Sequence, residues 1–290
     1  MTDPGRAFAI RRILVALDAS SHSMAALAAA AELAARLEAE LMGIFVEDVA
    51  LLRLADSPYA REILYPSATE APLSRASMEA KLRAQSERAR KAMEAAAEHS
   101  QVQWSFRAVR GEVTQEVLAA AGGADLLAMG KVGWSFGGEA RMGSTAREAA
   151  TSATPVLLLP EGGLPPDARV LVHYDGLPDG KRRLLAAAQL VRPGTGGITI
   201  LLAATNPDRN VVLQNEVRAL LEGTNIDVRY RQIDPQDEMS LLGALKAEKP
   251  GIFVVGGRGV FKTPQSLEKF LREAESALLL LGDGSESEAE

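Results

Sequence analysis

The sequence predicts an α/β protein built as two tandem, doubly wound, parallel five-stranded sheets. Short apolar runs alternate with helical patterns along the whole chain, which is the signature of right-handed crossovers over a sheet covered on both faces. The alternation pauses at a stretch dense in proline and glycine, Pro160-Glu-Gly-Gly-Leu-Pro-Pro-Asp-Ala168, and then starts again. Each round opens alike, on Arg12-Ile-Leu-Val-Ala-Leu-Asp18 and Arg169-Val-Leu-Val-His-Tyr-Asp175, an apolar run that ends in aspartate. An internal repeat is therefore expected.

In the first round, the strand ending at Asp18 is followed by an alanine-rich helix to about Glu38, for which Ser20 or Ser21 can serve as N-cap. Glu40 to Val46 reads as the second strand. Regular alternation then gives way to a helical insertion over residues 47–100. Its first part carries Val49, Leu51, Leu52, Leu54, Ile63 and Leu64 amid charge, which predicts a short amphipathic helix broken at Pro58. Its second part is a long polar helix from about Arg75 to Ala97. The insertion could cover a ligand cleft, pair with a second subunit in a homodimer or with another protein, or pack on its own domain. Gln101 to Val109 alternates as a half-buried strand. Glu112 to Ala121 is a helix, Ala124 to Met129 a strand, Ser144 to Ser152 a helix and Pro155 to Leu159 the closing strand.

The second round repeats this plan without the insertion. Helices are expected at Asp179 to Arg192, Asp208 to Leu221 and Glu238 to Glu248. Strands are expected at Gly197 to Ala203, Ile226 to Arg231, Gly251 to Gly256 and Ala277 to Leu281. The expected domains are residues 1–161 and 167–282, with a disordered acidic tail at 283–290. Pairing of the two final strands, Val156 to Leu159 with Leu278 to Leu281, would cover edges that are otherwise open.

Composition narrows the function classes. Of 290 residues, 47% are hydrophobic and 24% charged, enough apolar mass for a core in each half. Thirty-two basic against 38 acidic residues leave a net charge of −6, which supplies no basic field for nucleic acid or an anionic membrane. With no cysteine, disulfides and thiolate chemistry are excluded, and a cytoplasmic location is expected. His22, His99 and His173 show no metal-ligand or Ser-His-Asp spacing, and G-x-x-x-x-G-K-[ST] is absent, so no catalytic residue is assigned.

The most informative stretch is GKVGWSFGGEARMGST, Gly130 to Thr145. It follows a strand and opens a helix. Its glycines permit close backbone approach, and the helix after Gly143 offers unpaired N–H groups, an arrangement that suits a phosphate. A flexible connection would also need glycine. In the second half Gly256 and Gly259 match Gly130 and Gly133, but Phe261-Lys-Thr-Pro-Gln-Ser-Leu-Glu has no Gly-Ser step.

These residues resemble the universal stress protein family in its tandem form. The pattern G-x-x-G-x9-G-[ST] appears as Gly130, Gly133, Gly143 and Ser144, with Trp134 to Met142 between. Asp18 after the first strand, Val46 at the end of the second and the Pro-Val-Leu-Leu-Leu closing strand complete the resemblance. It implies a Rossmann-like fold of the adenine nucleotide alpha hydrolase type, and ATP, with or without Mg2+, as the cofactor. By the same resemblance Asp18 and Val46 would contact the adenosine part, while backbone N–H groups of Gly130, Gly133, Gly143, Ser144 and Thr145 would hold ribose and phosphates. Lys131 and Arg141 could add charge-assisted contacts to phosphate, or stand as solvated loop cations. The function expected is an ATP-binding stress-response or regulatory module. A slow ATPase or autokinase at the same site, and a nucleotide-free scaffold recruiting partners through the insertion, are the alternatives. The second domain, lacking the Gly-Ser step, is expected to bind nucleotide weakly or not at all and to act as a built-in dimer partner.

Overall fold

The structure, a computed structural model, describes residues 9–64, 69–131, 143–165, 168–192, 194, 196–204, 206–234, 238–256, 263, 269–270 and 273–282. Gly133, Arg141, the residues between Trp134 and Met142, Gly259 and the acidic tail lie outside the described residues.

Both rounds of alternation join in one ten-stranded sheet. The first half contributes β1 (Arg12–Leu17), β2 (Glu40–Asp48), β5 (Trp104–Gly111), β6 (Leu126–Gly130) and β7 (Val156–Leu159). The second contributes β8 (Val170–Tyr174), β9 (Gly197–Ala203), β10 (Asp227–Ile233), β11 (Ile252–Gly256) and β12 (Ala277–Leu281). Their order, β10-β9-β8-β11-β12-β7-β6-β1-β2-β5, places the five strands of each half in the same sequence outward from the middle. Within this ten-stranded sheet, pairing is parallel inside each half and antiparallel only where the halves meet, Leu278 opposite Leu158, Leu279 opposite Leu157 and Leu280 opposite Val156. The expected pairing of the two closing strands is thus present, and it joins the two five-stranded parallel sets into one mixed ten-stranded sheet. Because the junction is antiparallel, the carboxyl ends of the two parallel sets point to opposite ends of the molecule.

Side chains alternate along each strand and feed two core layers that run through both halves. Ile13, Val15 and Leu17 face α1 (Ser21–Leu37) and α3 (Arg75–Ser100), continuous with Val170 and Val172 beneath α6 (Pro178–Leu190) and α7 (Pro207–Leu220). Leu14, Leu127 and Leu158 face α4 (Val113–Ala121) and α5 (Ser144–Ala149), continuous with Phe253 and Val255 beneath α8 (Glu238–Glu248). Fully burying a side chain of this size contributes about 1.5–3 kcal/mol, so the apolar strands hold the halves together. Polar contacts tie α1 to α6 as well. Arg36 donates to the carbonyls of Leu190 and Val191 at the end of α6, and Arg192 pairs with Glu32. Arg36 thus sits where a helix leaves its carbonyls unpaired.

The stretch from 47 to 100 differs from a simple insertion. Helix α3 packs on α1, β2 and β5 and is the crossover that carries the chain between those two strands. What projects is only α2 (Val49–Ala55) and a hairpin of β3 (Arg61–Leu64) with β4 (Thr69–Pro72). Asp48 caps α2 by accepting from the Ala50 N–H at 2.7 Å, and α2 ends before Pro58 as the sequence suggested. The hairpin was not foreseen, because its strands are short and lack an apolar alternation. Gln101 caps α3 in a left-handed conformation at φ 54°, which delays β5 to Trp104. No helix among the described residues is long and apolar enough to cross a membrane.

Candidate functional site

A cavity of about 780 Å³ opens at the carboxyl ends of β1, β2 and β6. In an open α/β sheet this is where loops from several strands converge and where ligands bind. The volume lies within the range of small-molecule sites, roughly 300–1,000 Å³. Its floor is formed by Leu17, Asp18 and Ala19 after β1, and by Phe45 and Val46 of β2. One wall comes from Met129 and Gly130 with Gly143, Ser144 and Thr145. Glu112, Val113 and Thr114 close another side, and Leu51 of α2 with Leu82, Gln85 and Arg88 of α3 form the roof.

The turn from β1 into α1 presents Asp18. Ala19 sits at φ 62°, a left-handed conformation that costs a residue with a Cβ about 1 kcal/mol or more. That bend lets the Asp18 carboxylate fold back. Its Oδ1 accepts from the Ser20 N–H at 2.9 Å and from the Ser20 hydroxyl at 2.5 Å. Ser20 in turn caps α1 by accepting from the Ser23 N–H at 3.2 Å. The other carboxylate oxygen, Oδ2, has no partner among the described residues, so a ligand hydroxyl or amine can donate to it.

Gly130 ends β6 against the start of α1. A Cβ there would lie 2.8 Å from the His22 Cβ and 3.1 Å from its carbonyl carbon, so close packing of helix on strand demands glycine at this position. Gly143 is the N-cap of α5 at φ −61°, an angle open to any residue, and no side chain caps the first turn. The Thr145 hydroxyl is 2.9 Å from that of Thr114, which fixes the start of α5 to α4. Thr114 was missed in the sequence. It is a buried hydroxyl at the first turn of a helix, and nothing in its local pattern reveals a partner 31 positions away.

Six of the nine residues expected at a ligand therefore line one cavity: Asp18, Val46, Gly130, Gly143, Ser144 and Thr145. Lys131 does not. Its side chain is buried, and its ammonium donates to the Ala274 carbonyl of the second half. Burial pulls its pKa down to about 8 from the ordinary lysine value, partly offset by the nearby Glu275 carboxylate. The cause of the misplacement is geometric. Lys131 continues from β6, and its backbone N–H still bonds the Leu159 carbonyl, so the side chain follows the sheet toward β7 and β12.

In the second half the equivalent aspartate is bonded to protein groups. Gly176 bends at φ 80° where Ala19 bends in the first half, and Asp175 Oδ1 accepts from the Leu177 N–H at 3.0 Å. There the likeness stops. Asp175 Oδ2 is held at 2.7 Å by the buried guanidinium of Arg183, whose Nε donates to the His173 carbonyl. From α7, Arg209 donates to the Asp175 carbonyl, and the Tyr174 hydroxyl donates to Glu216 at 2.9 Å. Arg209 and Leu213 lie so close over Gly176 that a Cβ would come within 2.6 and 2.7 Å of them. His173 is buried in this network, and desolvation, reinforced by Arg183, lowers its pKa to about 4.

The profile of the universal stress protein family matches residues 9–160, more than half of the sequence. The chain belongs to the universal stress protein family. A universal stress protein from Archaeoglobus fulgidus DSM 4304 is similar over 96% of this chain and 100% of its own, at 16% identity and a TM-score of 0.70. The structure of a functionally unknown protein from Pseudomonas aeruginosa PAO1 covers 95% of this chain and 93% of its own, at 14% identity and a TM-score of 0.52. At such identities these likenesses establish the fold. A universal stress protein solved in complex with cAMP covers 53% of this chain and 98% of its own, at 22% identity and a TM-score of 0.34. The sequence has no significant match among curated proteins.

Proposed function

We propose that the first half of this universal stress protein binds an adenine nucleotide, ATP in particular, and that occupancy of the site regulates a stress response. The observation that carries the reading is the single cavity that collects Asp18, Val46, Gly130 and the start of α5. Asp18 offers an acceptor suited to a ribose hydroxyl or an amino group. Phe45 and Val46 offer apolar surface for a base, and the uncapped first turn of α5 offers N–H donors for phosphate. In this reading the nucleotide acts as a signal. Lys131 is reassigned to the contact between halves, and Gly133 and Arg141 keep their proposed role at the phosphates.

The second half serves as a built-in partner, since β12 covers the edge of β7 as a second copy would. Association of whole chains is a separate proposal, for which Leu54, Tyr59 and Ile63, exposed on α2 and the adjoining hairpin, supply the surface. The absence of cysteine suits a reducing compartment such as the cytoplasm. Isothermal titration of ligand-stripped protein with ATP, with and without Mg2+, tests the reading. Saturable binding with intact nucleotide recovered afterwards is expected, and no heat at millimolar ATP rejects it.

A further inference from the structure

The roof of the cavity contains a cation with no protein partner. Arg88 lies on α3, lines the cavity and is exposed, and it makes no ion pair or hydrogen bond with any described residue. Its helix neighbours explain why. The positions three and four residues away are Ala84, Gln85, Lys91 and Ala92, so no carboxylate is within reach along the helix. Three other cations on α3 are neutralised, Arg75 by Asp56 and Glu79, Lys81 by Glu62 and Arg90 by Glu87 and Glu94, while Arg83 and Lys91, which make no ion pair among the described residues, do not line the cavity.

The cavity around Arg88 is otherwise acidic. Asp18, Asp48 and Glu112 line it, and Arg88 is the one cation among its described lining residues. A phosphate entering this space would be balanced by a counter-charge, and among the described residues of the glycine-flanked wall none supplies one, since Lys131 is turned to the second half. The internal repeat adds a second line of argument. In the second half the corresponding crossover helix, α7, also carries an arginine to the end of the first strand, where Arg209 donates to the Asp175 carbonyl. There α7 lies directly on the strand end and the arginine is bound to protein. In the first half α2 lines the opening beside α3, a cavity of about 780 Å³ remains, and the arginine is left without a bond.

We infer that Arg88 is the binding residue for the phosphate of a phosphorylated nucleoside, reaching it from the crossover helix opposite the wall formed by Gly130 and Gly143–Thr145. This rests on the nucleotide reading above and adds to it the group that distinguishes a nucleotide from a nucleoside. A charge-assisted hydrogen bond of this kind is worth about a 10- to 100-fold change in affinity. Titrations of adenosine, AMP and ATP into wild type, Arg88→Gln, Arg88→Lys and the non-lining control Lys91→Gln test it, with thermal melting to show that each variant is folded. Arg88→Gln is expected to weaken AMP and ATP about 10- to 100-fold and to leave adenosine within about twofold. Arg88→Lys is expected to recover part of the loss, and Lys91→Gln to bind as wild type. Equal nucleotide affinity in Arg88→Gln and wild type, or an equal loss in Lys91→Gln, overturns the inference while leaving the functional reading intact. Failure of wild type to bind any of the three overturns both.

Discussion

Asp18 and Asp175 stand at the same place, one residue beyond the first strand of their halves, and each accepts from the backbone N–H two residues on. One has an unbonded carboxylate oxygen at the edge of a cavity, and the other is clamped by a buried arginine. The divergence traces to small differences in the following helix. Where the first half has Ser23, the second has Gly180, and a Cβ there would collide with the Asp175 carboxylate. Where the first half has the buried Ala26, the second has Arg183. Glycine lets the carboxylate tuck against α6, and arginine meets it there. The same turn thus opens on a cavity in one half and is bonded into the protein in the other. A repeated fold can keep its architecture while one copy turns the polar groups at a strand end into internal bonds.

The comparison is most easily broken at Asp175. Replacing it with alanine strands the Arg183 charge in a buried setting, and removal of one partner from such a pair typically costs about 3–5 kcal/mol. Denaturant unfolding of Asp175→Ala is expected to show a loss of this size with ATP affinity retained; a loss below about 1 kcal/mol would mean the pair is solvated and the second site open.

A smaller effect separates the two helix starts. Ser20 caps α1 and holds Asp18, whereas Leu177 begins α6 with no side-chain cap and is 60% exposed. Ser20→Ala is expected to lower stability by about 1 kcal/mol, and Leu177→Ala to change it by less than about 0.5 kcal/mol. Comparable losses in urea melts of the two variants would contradict the difference between the turns.

Acid should act on the second half. The folded-state pKa of His173, lowered to about 4, lies below its ordinary value of 6.5, so between these pH values the unfolded chain binds a proton that the folded one refuses. Stability is therefore lost as pH falls from about 6.5 to about 4, with a slope of at most about 1.4 kcal/mol per pH unit from this group. In His173→Asn that part of the slope disappears, whatever the variant's overall stability. An unchanged slope in paired unfolding experiments at these pH values would place the proton uptake elsewhere.

Much of the fold was legible because its strands are short, apolar and bounded by glycine, proline or aspartate. The closing strands Val156–Leu159 and Ala277–Leu281 announced their pairing by being apolar at what would otherwise be open edges. The lining of the cavity was legible where the pattern is local, as at Asp18 and at Gly143 with Ser144. It was obscure where long-range geometry decides. The direction of Lys131 depends on a carbonyl 143 positions away. Thr114 becomes informative only when α4 and α5 are side by side, and Arg88 only when α3 is known to roof the cavity. Gly130 was read as permitting close approach of a ligand, whereas the group that approaches it within the chain is His22. The clamp on Asp175 likewise escaped notice, since Gly180 and Arg183 look ordinary on an amphipathic helix.

The central claim is that one half binds and the other is already full. Titration calorimetry with ATP on wild type, Asp18→Ala and Asp175→Ala measures it directly. The account predicts one site per chain in wild type, about 30-fold or greater weakening in Asp18→Ala and one site of wild-type affinity in Asp175→Ala. Two sites per chain in wild type, or binding that survives Asp18→Ala and is lost in Asp175→Ala, would contradict it.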